Sequence, residues 1–217
     1  MNTVKTGYVR PLDLRKGRVD LGFGAGGRAM AQLISELFLR AFANDWLARG
    51  DDGAVLPAPA AGERLVMATD AHVVSPLFFP GGDIGSLSVH GTVNDLAVMG
   101  ARPLYLAASF ILEEGYALAD LARIVESMAS AARAAGVTVV TGDTKVVEQG
   151  KGDGVFITTT GVGALPAGRD PGGARARPGD VVLVSGRIGD HGMAIMAQRE
   201  SLAFDSEIVS DSAALHG

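Results

Sequence analysis

Ser75-Pro-Leu-Phe-Phe-Pro-Gly-Gly-Asp-Ile-Gly85, followed by His90-Gly-Thr-Val-Asn-Asp-Leu-Ala-Val-Met-Gly100, is the stretch on which the reading of this chain turns. A Pro- and Gly-rich bend opens it, and a helix is expected over Gly85 to Met99, stopped by Gly100. It also carries two acids, Asp83 and Asp95, where a hydrophobic core segment would carry none. Working outward, acids recur at the edges of apolar runs in Asp51-Asp52, in Thr69-Asp70 and in Gly142-Asp143-Thr144-Lys145. That repeated placement points to a shared cation-and-phosphate site.

The flanking segments set the fold class. Between Arg28 and Arg49 apolar residues fall at Met30, Leu33, Ile34, Leu37, Phe38, Ala41 and Phe42, the spacing of a buried helical stripe, with Gly50 as its cap. A further helix is expected from Ala117 to Ala135, with Leu121, Val125, Met128 and Ala132 inward and Gly136 as the stop. Strands are expected at Leu65 to Thr69, Leu104 to Leu112, Val137 to Thr141 and Val155 to Gly163. Because they alternate irregularly with the helices, a mixed α+β fold is expected rather than a regular doubly wound sheet.

Residues 164–180 are dense in Pro, Gly and Arg and read as a connection. Beyond them lie one strand, Val181 to Ser185, a Gly-rich turn and a helix from Met193 to Arg199. We therefore expect a first domain over residues 1–165, a linker over 166–179, and in 180–217 the incomplete start of a second domain.

Composition excludes several classes. The 217 residues are 47% hydrophobic, enough for a real core. With 19 basic and 24 acidic residues intermixed and a net charge of -5, no electropositive surface for nucleic acid is implied. The cluster Lys5, Arg10, Arg15, Lys16 and Arg18 reads as a solvated tail or entry strand. No run approaches the ~18 apolar residues of a membrane span, and the N-terminus lacks the apolar core of a signal peptide. Zero cysteines exclude disulfides and thiolate metal sites, in keeping with a cytoplasmic protein.

Magnesium prefers carboxylate oxygens and substrate phosphates. Asp51 or Asp52, Asp70, Asp95 and Asp143 suit it if the fold gathers those element ends. Lys145, two residues after Asp143, lies on the same face of an extended segment, where it can neutralise a phosphate. Taken singly, each acid is better read as a turn or cap residue; four acids beside Gly, Thr or Asn shift the balance. Gly22-Phe-Gly-Ala-Gly-Gly27 matches a dinucleotide fingerprint, but the charged segment before it is too short for a central strand, so a helix entry or a Gly loop near a phosphate is preferred. No Walker A motif and no Gly-x-Ser-x-Gly elbow is present. His72, His90, His191 and His216 show no metal spacing; His191 reads as a turn residue or a phosphate contact, and Trp46 with Phe38 and Phe42 as core or dimer packing.

Taken together, Thr69-Asp70, Ser75 to Gly85, Gly91-Thr-Val-Asn-Asp-Leu96, Phe110-Ile-Leu-Glu-Glu-Gly115, Gly142-Asp-Thr-Lys-Val-Val147 and Ser185 to Gly192 resemble the HypE family of hydrogenase maturation factors, the carbamoyl dehydratases. That family is similar in fold to aminoimidazole ribonucleotide synthetase and selenophosphate synthetase. The resemblance implies an α+β first domain with a mixed sheet, which pairs as a homodimer. It implies binding of ATP with Mg2+, used to dehydrate a thiocarbamate on a C-terminal cysteine to a thiocyanate, the source of the cyanide ligand of the nickel-iron site. The carbamoyltransferase HypF and the HypC–HypD scaffold are the implied partners.

Carried onto this chain, the metal candidates are Asp51, Asp52, Asp70, Asp95 and Asp143, the two neighbouring acids being equivalent. Asp70, Asp83, Asn94, Asp95, Asp143, Thr144 and Lys145 are the nucleotide candidates, with Lys145 and Asp83 as the catalytic ones. Two departures stand out. Phe23 takes the place of a histidine in the Gly-rich loop, and the terminal cysteine is absent, so this chain is expected not to turn over alone. An assembly module without chemistry and another phosphoryl-transfer enzyme of the same superfamily stay open. Selenophosphate synthesis is disfavoured because Gly22 to Gly27 contains no cysteine.

Overall fold

The computed structural model describes residues 11–184, 186–200 and 207–217. Lys5 and Arg10 of the basic cluster, and Ser185 at the end of the expected strand, lie outside them. Four strands make the main sheet: β1 (Arg64–His72), β4 (Arg102–Glu113), β5 (Thr138–Val147) and β6 (Val155–Leu165), in the order β1-β6-β4-β5. β6 runs antiparallel to both of its neighbours, whereas β4 and β5 are parallel. A parallel pair needs a crossover, supplied here by helix α4 (Leu118–Ala134). Two short strands, β2 (Phe78–Phe79) and β3 (Gly82–Asp83), form a hairpin that delivers the chain into α3 (Ile84–Val98).

Strand alternation decides which face is covered. Along β4, Leu106, Ala108, Phe110 and Leu112 are buried, as a period-two pattern requires of one face. On that face lie α3, through Ile84, Val89 and Val93, and α4, through Leu118, Leu121, Ile124, Val125 and Met128. The α4 positions recur every three or four residues, so a single stripe meets the core. A buried hydroxyl chain fixes α3 on β6: Thr92 Oγ1 lies 2.6 Å from Thr159 Oγ1, and Thr159 donates to the carbonyl of Ser88 at 2.9 Å. The opposite face is open, with Leu65, Met67 and Ile111 exposed.

The expected helix from Arg28 to Arg49 is in fact broken. It runs as α1 (Arg28–Leu33), a π-helical turn Ile34–Phe38 and α2 (Leu39–Phe42), and a separate 3-10 turn follows at Leu47–Arg49. Asn44 stops it. Its side-chain oxygen accepts the N–H groups of Trp46 and Leu47, and its amide donates to the carbonyls of Phe42 and Val139 at 2.8 Å. The four strands and two other helices of the sheet unit lie where the sequence put them, each strand extending further than expected.

Gly22 to Gly27 is a helix entry. Asp20 caps the 3-10 turn Leu21–Gly24 by accepting from Gly22 N at 2.7 Å, and Gly27 is the N-cap of α1. Past β6, residues 181–184 of the expected strand 181–185 are not in a strand: Val181 to Val184 are exposed, and among the described residues no strand lies beside them. Helix α5 (Asp190–Arg199) begins three residues earlier than expected. Among the described residues no helix is long and apolar enough to cross a membrane.

Candidate functional site

The two edges of the sheet each carry acids. At the β5 edge, a cleft of about 620 Å³ opens between the α1–α2 segment and the strand. Phe38, Phe42 and Trp46 form part of its wall, and Asp51, Asp52, Asp143 and Thr144 also line it. Phe38 is held by Phe110 at a ring separation of 4.9 Å, and Trp46 stands edge-on to Tyr105 at 5.4 Å. The aromatic residues read from sequence as packing are thus also a wall of this space. Their helical spacing signalled an apolar stripe without saying that part of it would be left uncovered.

Asp143 and Lys145 share one face of β5, as their spacing requires, while Thr144 between them is buried. One oxygen of Asp143 accepts from Thr144 N at 2.8 Å and from Lys145 Nζ at 3.1 Å. Both side chains of the ion pair are more than half exposed, so the pair contributes little to stability and opens at little cost. The Gly-rich turn Leu21–Gly24 packs against this strand.

At the other edge, Asp70 and His72 of β1 point toward α3, where Gly91 leaves them room: a Cβ at residue 91 would lie 2.8 Å from His72 Nε2 and 2.9 Å from Asp70 Oδ2. His72 Nε2 is 3.9 Å from Asp70 Oδ2, and its Nδ1 is buried with no well-formed hydrogen bond among the described residues. Burial holds the His72 imidazole below its ordinary pKa, against the pull of Asp70 and Asp95. The Asp95 carboxyl is raised, by desolvation first and then by the Asp70 carboxylate, with His72 opposing. Histidine was set aside in the sequence for want of metal spacing. The signal that could have found it is the two-residue step Asp70 to His72, which in a strand places both on one face.

The five candidate acids do not meet in one place within the chain. Asp70 pairs with Thr159, Thr159 with Ala108 and Ala108 with Gly142, so Asp70 and Asp143 stand about three strand spacings apart, roughly 14 Å. Among the described residues no three His, Asp or Glu side chains converge on a common metal position. What exists is a pair, Asp70 with Asp95, and a cleft shared by Asp51, Asp52 and Asp143. Such sparse donor sets fit magnesium, which is held by one or two carboxylates together with substrate phosphates.

Asp83 and Asn94 already have partners. Asp83 caps α3, its carboxylate accepting from Gly85 N at 2.7 Å and Ser86 N at 3.2 Å while Ser86 Oγ accepts from Asp83 N. Asp83→Ala should therefore cost about 1 kcal/mol of stability whether or not nucleotide is present, readable as a shift in the urea midpoint. Asn94 bonds the backbone of Ala213 and Leu215. His191 meets Ser210, Asp211 and the edge of the Phe79 ring.

Burial also lowers the His90 pKa, with Asp83 acting in the opposite sense. A folded-state pKa below the unfolded value of 6.5 means that the unfolded chain binds the extra proton first. Stability from His72 and His90 is therefore fully present above pH 6.5 and is lost as pH falls below it. Urea midpoints at pH 7.5 and 5.5 should show this loss, and it should shrink in His72→Gln and His90→Gln. Equal midpoints across that interval would contradict the burial of both rings.

Comparison with known proteins agrees with this architecture. Residues 50–165, which hold the acids from Asp51 to Asp143 and all four strands of the main sheet, match the family model of the AIR synthase related protein, N-terminal domain. The carbamoyl dehydratase HypE of Cupriavidus necator is 73% identical over 214 residues, 99% of this chain and 61% of that protein. The crystal structure of hydrogenase maturation protein HypE in complex with ATP superposes with a TM-score of 0.86 at 54% identity, covering 90% of this chain and 58% of the other. A HypE–HypF complex gives a TM-score of 0.70 at 52% identity, over 85% and 59%. The chain spans about three fifths of the length of these relatives. With its matched sheet, its covering helices and its acids at both edges, the chain belongs to the family of AIR synthase related proteins and within it resembles HypE.

Proposed function

We propose that this chain supplies the ATP- and magnesium-binding part of a HypE-type carbamoyl dehydratase, acting in the cytoplasm in maturation of nickel-iron hydrogenase. The observation that carries the reading is Asp143 and Thr144 in the wall of a cleft shared with Asp51 and Asp52, with Lys145 paired to Asp143, in a fold that superposes on a HypE–ATP complex. In the overall reaction, a cysteine thiocarbamate and ATP give a thiocyanate, ADP and inorganic phosphate. The amide oxygen leaves with the phosphoryl group, and the two amide protons are released as the nitrile forms.

Within that scheme the chain's own residues position charge. Lys145 neutralises phosphate oxygens once it turns from Asp143, and Asp70 with Asp95 provides a second pair of hard oxygen donors. Magnesium, when bound, offsets the charge of the transferring phosphoryl group. The thiol that carries the carbamoyl group is not among these 217 residues, which contain no cysteine. Pairing of two chains through the open face bearing Leu65, Met67 and Ile111 would bury that apolar surface, and HypF with HypC–HypD are the proposed partners.

Calorimetric titration with a non-hydrolysable ATP analogue, with and without magnesium, tests the reading. Saturable, magnesium-dependent binding is the expected result. One observation favours a second reading: within one chain Asp70 and Asp143 lie too far apart to share an ion. Absence of binding at millimolar analogue in folded protein would overturn the nucleotide site and leave an assembly module that binds maturation partners without chemistry.

A further inference from the structure

Outside the acid groups, a stripe on α3 formed by His90 and Asn94 makes three hydrogen bonds to one distant segment. They are four residues apart and so share a helix face. Residues 207–217 lie along it. Ser210 N donates to the carbonyl of Pro80 at 2.9 Å, and Ser212 Oγ sits 3.0 Å from His90 Nδ1. Asn94 Nδ2 donates to the carbonyl of Ala213 at 2.9 Å, and Leu215 N donates to Asn94 Oδ1 at 2.7 Å. From the second side His191 grips the same segment, its backbone N–H donating to Asp211 at 2.8 Å and its Nδ1 lying 3.0 Å from Ser210 Oγ.

Three further features show that this is a shaped contact. First, Ile208, Ser210, Ser212 and Ala214 are partly buried while Glu207, Val209, Ala213 and Leu215 are exposed, the period of an extended chain, interrupted at Asp211, which is partly buried where its carboxylate accepts from His191 N. Second, lengths match: α3 rises about 6 Å from His90 to Asn94, and the two extended steps from Ser212 to Ala214, the residue between the two that Asn94 bonds, span roughly 7 Å. Third, Gly81, at a φ of 92°, leaves the space the segment occupies. A Cβ there would lie 2.7 Å from Val209 Cγ1 and 2.9 Å from Ser210 N.

The Asn94 amide uses one donor and one acceptor on the carbonyl of one residue and the N–H of the second residue after it. An extended backbone presents those two groups on one side, so the amide reads main chain as a neighbouring strand would. The fully ionised phosphates of a magnesium–nucleotide complex offer only acceptors, so they would leave the Asn94 oxygen unmatched where the segment's N–H now satisfies it.

We propose that His90 and Asn94 form a latch that docks residues 207–217, and with them α5, onto the sheet unit, and that Asn94 is a positioning residue for this segment and not a nucleotide ligand. The latch stands independently of the dehydratase reading.

Hydrogen–deuterium exchange on the full chain tests it, with Asn94→Ala removing the clamp from the helix side and Leu215→Pro removing one donor from the segment side. Alanine favours helix and Leu215 is exposed, so the two variants fail for different reasons if either does. Amides of 207–217 and 190–199 should exchange roughly 10-fold faster in Asn94→Ala and several-fold faster in Leu215→Pro. Amides of β4 and α4 should be unchanged. The affinity of Leu215→Pro for the magnesium–ATP analogue should stay within about 2-fold of the parent chain's, since the one neutral hydrogen bond it loses lies outside the acid groups. Unchanged protection of 207–217 in both variants would overturn the latch. Protection intact with nucleotide affinity lost would assign Asn94 to the nucleotide instead. If the parent chain binds no nucleotide, the dehydratase reading fails while the exchange result still decides the latch.

Discussion

Gly85→Ala is expected to lower the melting temperature by roughly 10 °C, from a loss of about 3 kcal/mol. Gly85 sits in the first turn of α3, buried where that helix crosses α4, and a methyl group on it would run into the carbonyl oxygen of Ile124. That oxygen belongs to helix backbone and has no rotamer by which to move aside. The added carbon would also approach Asp83 Oδ1 to 2.9 Å, disturbing the cap that starts the helix. Separating α3 from α4 would in turn loosen Ile84, Val89 and Val93 from the shared core. Gly53→Ala is the matched control, because nothing lies within 4 Å of its added carbon and its effect should stay within about 0.5 kcal/mol. Calorimetric melting of the three proteins is sufficient. Equal melting temperatures for Gly85→Ala and the parent would mean that the two helices do not approach as described.

Asp143→Asn should weaken magnesium-dependent binding of the ATP analogue about 100-fold while leaving the fold intact, since losing one member of a close charge contact costs about 2–5 kcal/mol. The asparagine oxygen can still accept from Thr144 N, now made at 2.8 Å, so the strand keeps its local bond. What disappears is the charge that faces Lys145 and would face the cation. Because the side chain is more than half exposed, stability should change by less than about 0.5 kcal/mol, and the two effects separate cleanly in parallel titration and melting runs. Without magnesium the variant and the parent should converge. A variant that binds as tightly as the parent in magnesium would remove Asp143 from the site.

Much of the fold was legible because its signals are local. The stripe Leu121, Val125, Met128 and Ala132 defined α4, and Gly100 and Gly136, both in left-handed conformations, marked where α3 and α4 stop. The four strands carried apolar, aromatic or β-branched runs bounded by turn residues. Legibility failed where a single side chain overruled the pattern. Asn44 ends the first helix by bonding across to Val139, 95 residues away, and no periodicity reports such a partner. It failed again at Val181 to Val184, whose residues favour a strand but have no strand beside them among the described residues; β-propensity is a preference for a half-buried surface, and these residues are exposed.

The candidate acids divide in the same way. Residue type and spacing alone determined that Asp143 and Lys145 share a face, that Asp83 precedes a helix, and that the chain carries hard oxygen donors suited to magnesium, since these follow from backbone geometry over two or three residues. Only the tertiary structure decided that Asp70 joins Asp95 and His72 at one edge of the sheet while Asp51 and Asp52 join Asp143 at the other. It also decided that Asn94 is taken by residues 213–215. The reason is that strand order is set by how α3 and α4 bury their apolar faces against one side of the sheet, a global packing solution that no local run of sequence encodes.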